Sequence, residues 1–257
     1  MALRGRRALV TGGGLGIGKA TALALARAGA DVAVAARTRA EVDQVAEEAR
    51  TLGVRAVALT ADVGKGEDVK ALFRSARETL GGIDILVNGA GIAPTAPFAK
   101  TPDDLWHSVL AVNLSGVFFA TREALPEMAE RGWGRIVNVA SVAGKTAMPY
   151  IAAYSASKHG VLGLTKVAAL EVATSGVTVN AVCPGYVDTP MVEAGIATIV
   201  AKTGQKAADI RRRLEEASPQ KRMVSSEEVA ALVVFLCGDE ARGITGQGLN
   251  VDGGTVV

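Results

Sequence analysis

The sequence predicts a doubly wound α/β fold with a parallel sheet, and three observations carry that prediction. Short runs rich in Val, Ala and Leu alternate with longer amphipathic stretches along most of the 257 residues. The runs lack strict polar alternation, which is the pattern of strands buried on both faces. A glycine-rich turn, TGGGLGIG, separates the first run from the first amphipathic stretch. Repeated strand–helix units of this length imply right-handed crossovers within one open sheet. A single domain over 1–257 is expected.

The elements follow in order. RALV leads through the glycine turn into GKATALALARAG, a helix that GA closes. DVAVAA precedes the helix RAEVDQVAEEARTLG, and RAVALTADV precedes EDVKALFRSARETLG. IDILVNGAG precedes one helix running from about Asp103 to Glu130. GRIVNVAS precedes a helix over about 150–174 that holds Tyr154, and VTVNAVCPG follows it. From 191 to about 219 the rhythm breaks, because a segment of helical composition precedes no strand. Such a segment is expected to lie over one edge of the sheet as a helical lid on the substrate. SSEEVAALVVFLCG is then a helix, and a last strand falls near GLNVDGG.

Composition bounds the function. Apolar residues make up 49% and the net charge is +2, so no broad electrostatic signal points to nucleic acid or an anionic membrane. No apolar run reaches the roughly 18–20 residues that span a bilayer. The N-terminal MALRGRRALVTGGG is too short in apolar residues for a signal-peptide core. Two cysteines, Cys183 and Cys237, suit a reducing compartment, so a cytoplasmic protein is expected. No His/Cys/Asp cluster has metal-ligand spacing.

In its strand–turn–helix context, the turn around Gly12, Gly14, Leu15, Gly16, Ile17 and Gly18 is expected to bind a dinucleotide. Its backbone N–H groups and the helix N-terminus would meet a pyrophosphate, and glycine is needed because a Cβ would block the approach. An NAD site wants a carboxylate about 20 residues on, at the end of the second strand. That point reads Ala36–Arg37, while Asp31 lies at the wrong end of the strand and Glu41 already within the next helix. An arginine there would pair with a 2′-phosphate, so NADP(H) is expected to be preferred, with NAD(H) as the alternative. The other reading of Arg37 is a solvated surface side chain. Asp62, next to Val63 in ADV, is either a hydrogen-bonding partner for the adenine or a plain helix cap.

With TGGGLGIG, NGAG, YSASK and CPGYVDT in this order, the chain resembles the short-chain dehydrogenase/reductase family over essentially its whole length. The resemblance implies a Rossmann-type fold and a catalytic set of Asn113, Ser141, Tyr154 and Lys158. It implies that Asn88 braces the sheet, and that Ala90 and Gly91 belong to the cofactor cleft. Pro184, Gly185, Val187 and Thr189 would lie against the cofactor, the last two on the nicotinamide carboxamide. NGAG departs from the usual NNAG through Gly89. A homotetramer or homodimer through the two long helices is also implied.

Among members, YSASKHGVLGLTK and VTVNAVCPGYVDTPM resemble the 3-oxoacyl-[acyl carrier protein] reductases and polyketide ketoreductases. The segment from Met191 onward looks more like 3-hydroxybutyrate dehydrogenases, which use NAD. Carrier-dependent reductases often carry arginines where this chain has Gly132 and Ser175, although Arg131 and Arg135 lie close. Arg211 to Arg213 in IRRRLEE are either a solvated helix face or contacts for the phosphates of a CoA or carrier-protein thioester.

The Tyr–Lys pair also makes chemical sense by itself. A carbonyl that accepts hydride becomes an alkoxide and needs a proton donor at once. A free tyrosine has a pKa of about 10, and a nearby ammonium lowers it. Residues four apart on a helix are neighbours, so Lys158 can tune Tyr154 and reach the nicotinamide ribose. Ser141 can hydrogen-bond the substrate oxygen, and Asn113 can hold a water that resupplies the proton. The bland reading is a helix face shared by a tyrosine and a lysine. His159, His107, Trp133 and Cys183 read as surface or packing residues.

The expected activity is interconversion of a ketone, free or as an acyl thioester, with a secondary alcohol. The alternatives are an NAD-dependent 3-hydroxybutyrate dehydrogenase and a non-catalytic nucleotide sensor, which would be expected to lose Tyr or Lys. An epimerase would usually add a longer C-terminal substrate domain. Replacing Ala36 with Asp and Arg37 with Leu should move the kcat/KM ratio toward NADH. Equal or better binding of NADH by the unmodified protein would refute the cofactor reading.

Overall fold

Residues 2–256 are described by a computed structural model. Seven strands form one parallel sheet in the order β3-β2-β1-β4-β5-β6-β7. They are β1 (Arg7–Thr11), β2 (Asp31–Ala36), β3 (Ala56–Thr60), β4 (Ile85–Asn88), β5 (Gly134–Val139), β6 (Val177–Pro184) and β7 (Gly248–Val251). Their unbroken apolar runs are explained by burial on both faces, as at β1, where Ala8 and Val10 face one core and Leu9 the other.

Helices α1 (Gly16–Arg27), α2 (Arg39–Arg50) and α9 (Ser226–Cys237) cover the first face. Helices α3 (Gly66–Leu80), α5 (Gly116–Glu130) and α6 (Ala152–Glu171) cover the second. The strand order reverses between β1 and β4, and in such sheets a ligand crevice opens at that reversal.

Two elements differ from the sequence reading. The helix expected over Asp103–Glu130 is broken into α4 (Asp103–Leu110), a π-helical turn at Ala111–Ser115, and α5. In the turn the Gly116 N–H reaches back to Ala111 O, one residue farther than in an α-helix. The cause lies in tertiary contacts. Asn113 is fully buried and bonded to the Ile92 backbone, and a Cβ on Gly116 would come within 3.0 Å of Val63. Helix α6 also starts later than expected, after Tyr150 takes a left-handed φ of 70°. The segment at 191–219 is helical, as α7 (Pro190–Thr203) and α8 (Ala207–Glu216) joined at Gly204 with φ 70°. Val187 and Val224 pair as an isolated parallel bridge, so the chain enters and leaves this segment side by side.

Charged pairs gather at the N-terminal ends of the strands. Asp84 is buried and receives Arg7 Nε at 2.7 Å, Arg7 Nη2 at 2.6 Å and the Arg7 backbone N–H at 2.9 Å. Arg131 Nη1 stands 3.7 Å from the same carboxylate. Burial alone would raise the Asp84 pKa, but the Arg7 hydrogen bonds outweigh it and hold the carboxyl below its ordinary value. A depressed carboxyl stabilises the fold above its unfolded pKa of about 4, and that stability is lost on acidification through the lower folded value. Asp84→Asn should destabilise by roughly 2–3 kcal/mol at pH 7, less than for a fully buried pair because Arg7 is partly exposed. Denaturant titrations at pH 7 and below pH 4 should show that gap shrinking in acid; a constant gap would show that the pair is not the cause.

Candidate active site

The C-terminal ends of the strands bring the expected residues to one edge of the sheet. The glycine turn lies between β1 and α1. Leu15, at the N-cap of α1, makes no side-chain cap, and the first turn of the helix holds no acidic residue. The orphan N–H groups there, with Ile17 in the first turn, fit an anionic pyrophosphate. Two of the glycines are needed for a reason other than ligand approach. A Cβ on Gly12 would strike the Gly89–Ala90 backbone at 2.6–2.7 Å, and one on Gly18 would stand 2.0 Å from Gly12 O. These glycines let the turn fold on itself and dock on the loop after β4. Gly16, at φ 51°, faces Thr189 across the crevice, and Gly14 faces Glu41.

Arg37 follows β2, is exposed, and has no hydrogen-bond or ion-pair partner among the described residues. Asp31 is tied to Arg55 at 2.7 Å at the far end of the strand. Asp62 is not a helix cap, because the N-cap of α3 is Lys65. Its Oδ1 instead accepts the Gly64 N–H at 3.0 Å, and Val63 beside it packs on Gly116.

Asn88 is buried and donates to Asn138 Oδ1 at 2.8 Å and Thr121 Oγ1 at 3.3 Å, linking β4 to β5 and α5. Gly89 donates its N–H to Thr11 O, and a Cβ there would approach that oxygen to 2.8 Å. A Cβ on Gly91 would stand 3.5 Å from Asn113 Oδ1 and 3.8 Å from Lys158 Nζ, so the three converge.

Tyr154 and Lys158 share one face of α6, with Lys158 Nζ 5.5 Å from the tyrosine ring centre. Lys158 is buried and donates to Val139 O at 2.7 Å, at the end of β5. Ser141 lies two residues beyond that strand; its Oγ accepts the Ala143 N–H at 3.1 Å and is 3.5 Å from Pro184 O. The electrostatics differ from the sequence reading. Burial pushes the Tyr154 phenol up, with a hydrogen bond to Ser141 pulling it back, and burial lowers Lys158 to about 8. The Asn113 side chain anchors a neighbouring loop. Its amide accepts the Ile92 N–H and donates to Ile92 O, both at 2.9 Å, and reaches Ser157 Oγ at 3.2 Å.

Pro184 ends β6, and Gly185 packs on Asp252 while donating to Val251 O. The Val187–Val224 bridge uses Tyr186 O and the Asp188 N–H, turning the Val187 N–H and carbonyl to the other side of the chain. Thr189 caps α7, its hydroxyl donating to Val187 O at 3.2 Å.

Other arginines are occupied. Arg211 pairs with Asp188 and Glu193, Arg212 with Asp209, and Arg213 bonds Gln205. Arg131 serves Glu127 and Asp84, and Arg135 is buried against Asp239. His159 is exposed and bonds its own helix, and Cys183 is fully buried. Sequence reasoning missed three residues around the site. Tyr150 O accepts the Ala96 N–H at 2.9 Å, pinning the loop after β4 to the start of α6. Tyr186 touches Met148, and Lys145 ties the loop after Ser141 to β7 through Gly248 O and Asn250. No local motif marks these contacts, since all join distant segments.

A family model described as enoyl-(acyl carrier protein) reductase matches residues 13–256. The chain is 42% identical to D-beta-hydroxybutyrate dehydrogenase of Cupriavidus necator over 219 residues, 85% of this chain and 83% of that one. It is 43% identical to a putative ketoacyl reductase of Streptomyces coelicolor over 224 residues, 85% of each chain. Among solved structures it is similar to a variant of actinorhodin polyketide ketoreductase crystallised with NADPH, at a TM-score of 0.94 and 41% identity, with 97% of each chain covered. The chain therefore belongs to the short-chain dehydrogenase/reductase family, oxidoreductases that act on ketones and secondary alcohols with a nicotinamide cofactor.

Proposed function

We propose that Tyr154, Lys158, Ser141 and Asn113 carry a ketone–alcohol interconversion for which NADP(H) is the preferred cofactor. The observation that carries the reading is the convergence of Tyr154, the buried Lys158 ammonium and the Ser141 hydroxyl at the ends of β5 and β6. The turn N–H groups and the N-terminus of α1 would hold the pyrophosphate, and the unpaired Arg37 would take the 2′-phosphate. A relative crystallised with NADPH supports this choice. When bound, the nicotinamide supplies or accepts the hydride.

The chain's own part is proton and charge. In reduction, the Tyr154 hydroxyl gives its proton to the carbonyl oxygen while the Ser141 hydroxyl donates to the same oxygen. Burial makes the phenolate left on Tyr154 unfavourable, so the positive charge of Lys158 is what makes it tolerable. Lys158, at about 8, is largely charged at neutral pH. Asn113 positions the loop at Ile92 through its amide.

Phe98, Tyr150 and Tyr186 in the connecting segments, and Met191 at the start of α7, are exposed, which supports a compact, largely apolar ketone as substrate. Of the arginines suited to a carrier protein, Arg131, Arg135, Arg211 and Arg212 already have carboxylate partners, and Arg213 bonds Gln205. The second reading, an NAD-dependent 3-hydroxybutyrate dehydrogenase, is favoured by the identity to the Cupriavidus enzyme. Exposed Phe118, Val167 and Leu170 on α5 and α6 support a homotetramer or homodimer through those helices. Two free, buried cysteines suit the cytoplasm, and no helix among the described residues is long and apolar enough to cross a membrane.

Tyr154→Phe should lose most turnover with little loss of cofactor affinity, and Lys158→Met should lose both. The double variant should be barely worse than Tyr154→Phe, because the two act as one unit. Cofactor affinity should fall as pH rises through about 8, where Lys158 loses its charge, and this step should vanish in Lys158→Met. Near-normal activity of folded Tyr154→Phe would reduce the pair to a helix face. Exchange of 191–219 should change substrate choice at constant cofactor affinity; collapse of that affinity with unchanged choice would remove the lid role.

A further inference from the structure

Thr38, Arg39, Ala40 and Glu41 open α2 with the pattern of a capping box, in which the glutamate reaches back to the N-cap N–H. The same pattern at Ser225–Glu228 forms that box. Glu228 Oε2 accepts the Ser225 N–H at 2.8 Å, and Ser225 Oγ accepts the Glu228 N–H at 3.1 Å. At Thr38 there is no side-chain cap bond. Glu41 leans instead over the glycine turn. A Cβ built on Gly14 would stand 2.8 Å from Glu41 Oε2, 2.9 Å from Glu41 Cβ and 3.6 Å from Ala36 Cβ.

The carboxylate therefore fills the wedge between the turn that fits a pyrophosphate and the end of β2, where the adenine ribose is read. It is half-buried there and has no cationic partner among the described residues. Its neighbours are already paired, Lys19 with Glu48 and Arg39 with Asp43. Arg37, on the same stretch of chain, is also unpaired among those residues.

We propose that Glu41 is a second determinant of cofactor choice, acting on the 2′ position of the ribose in opposition to Arg37. The proposal rests on the reading that Arg37 selects NADP(H). A carboxylate accepts a hydrogen bond from a 2′-hydroxyl and repels a 2′-phosphate, and a guanidinium does the reverse. The chain then holds both instructions in one wedge, and its preference is the difference between them.

The test uses fragments and binding rather than turnover. Calorimetry with adenosine 2′,5′-bisphosphate and with 5′-AMP reads the 2′ group directly. Glu41→Gln should raise affinity for the bisphosphate about tenfold at low salt, less at high salt, and leave 5′-AMP unchanged or weaker. Arg37→Ala should lower bisphosphate affinity. An unchanged ratio in Glu41→Gln overturns the proposal, and a lowered Tm with that ratio would assign Glu41 to the helix N-terminus alone. Unchanged bisphosphate affinity in Arg37→Ala, with a raised bisphosphate preference in Glu41→Gln, would sink the Arg37 reading while upholding Glu41.

Discussion

A strand bonded to parallel neighbours on both sides cannot turn back within the sheet, so each return runs outside it through a helix. That constraint puts all the C-terminal strand ends, and the N-termini of the returning helices, on one edge. Gly12, Arg37, Asp62, Asn88, Ser141 and Gly185 each lie within two residues of a strand end there. The opposite edge carries the ion pairs Arg7–Asp84, Arg55–Asp31 and Arg135–Asp239. Chemistry and anchoring are thus separated by the length of the strands.

Much of this was legible in the sequence because the signals are local. Continuous apolar runs mark two-face burial, a glycine turn between strand and helix marks an uncapped N-terminus, and a four-residue spacing marks one helix face. What was not legible depends on contacts between distant segments. Nothing in AVNLSG announces a π-turn, since the Ile92 backbone that holds Asn113 comes from another loop. Gly12 and Gly18 were legible as glycines, but the backbone that excludes a Cβ belongs to Gly89–Ala90 in one case and to the turn itself in the other. Of the two readings of Asp62, the cap arose because its Asx turn ends just short of the true cap, Lys65. The burial that raises the Tyr154 phenol was not legible, because spacing reports a neighbour's charge and says nothing of burial.

Lys158 shows how function and stability pull apart. Its ammonium is buried with a single backbone carbonyl as partner and no carboxylate beside it among the described residues. Its folded pKa of about 8 lies below the unfolded value of about 10.4, so between these values the unfolded chain binds more protons and stability rises with pH. At neutral pH the buried charge therefore works against the fold. The double-faced apolar core and the Asp84 cluster offset it.

The π-turn also sets the rotational phase of the long helix. An α-helix advances about 100° per residue, so one extra residue rotates everything on one side by that angle relative to the other. In α4, Val109 is buried while His107 and Ser108 are exposed, and in α5 the buried stripe runs through Ala120, Ala124 and Met128. Both stripes face inward only because the turn at Ala111–Ser115 corrects the phase between them. Deleting one residue there would not simply shorten the helix. It would swing Val109 out and a polar neighbour in, so chain length in this stretch is held fixed by geometry even though no single side chain of α4 touches the reacting atoms.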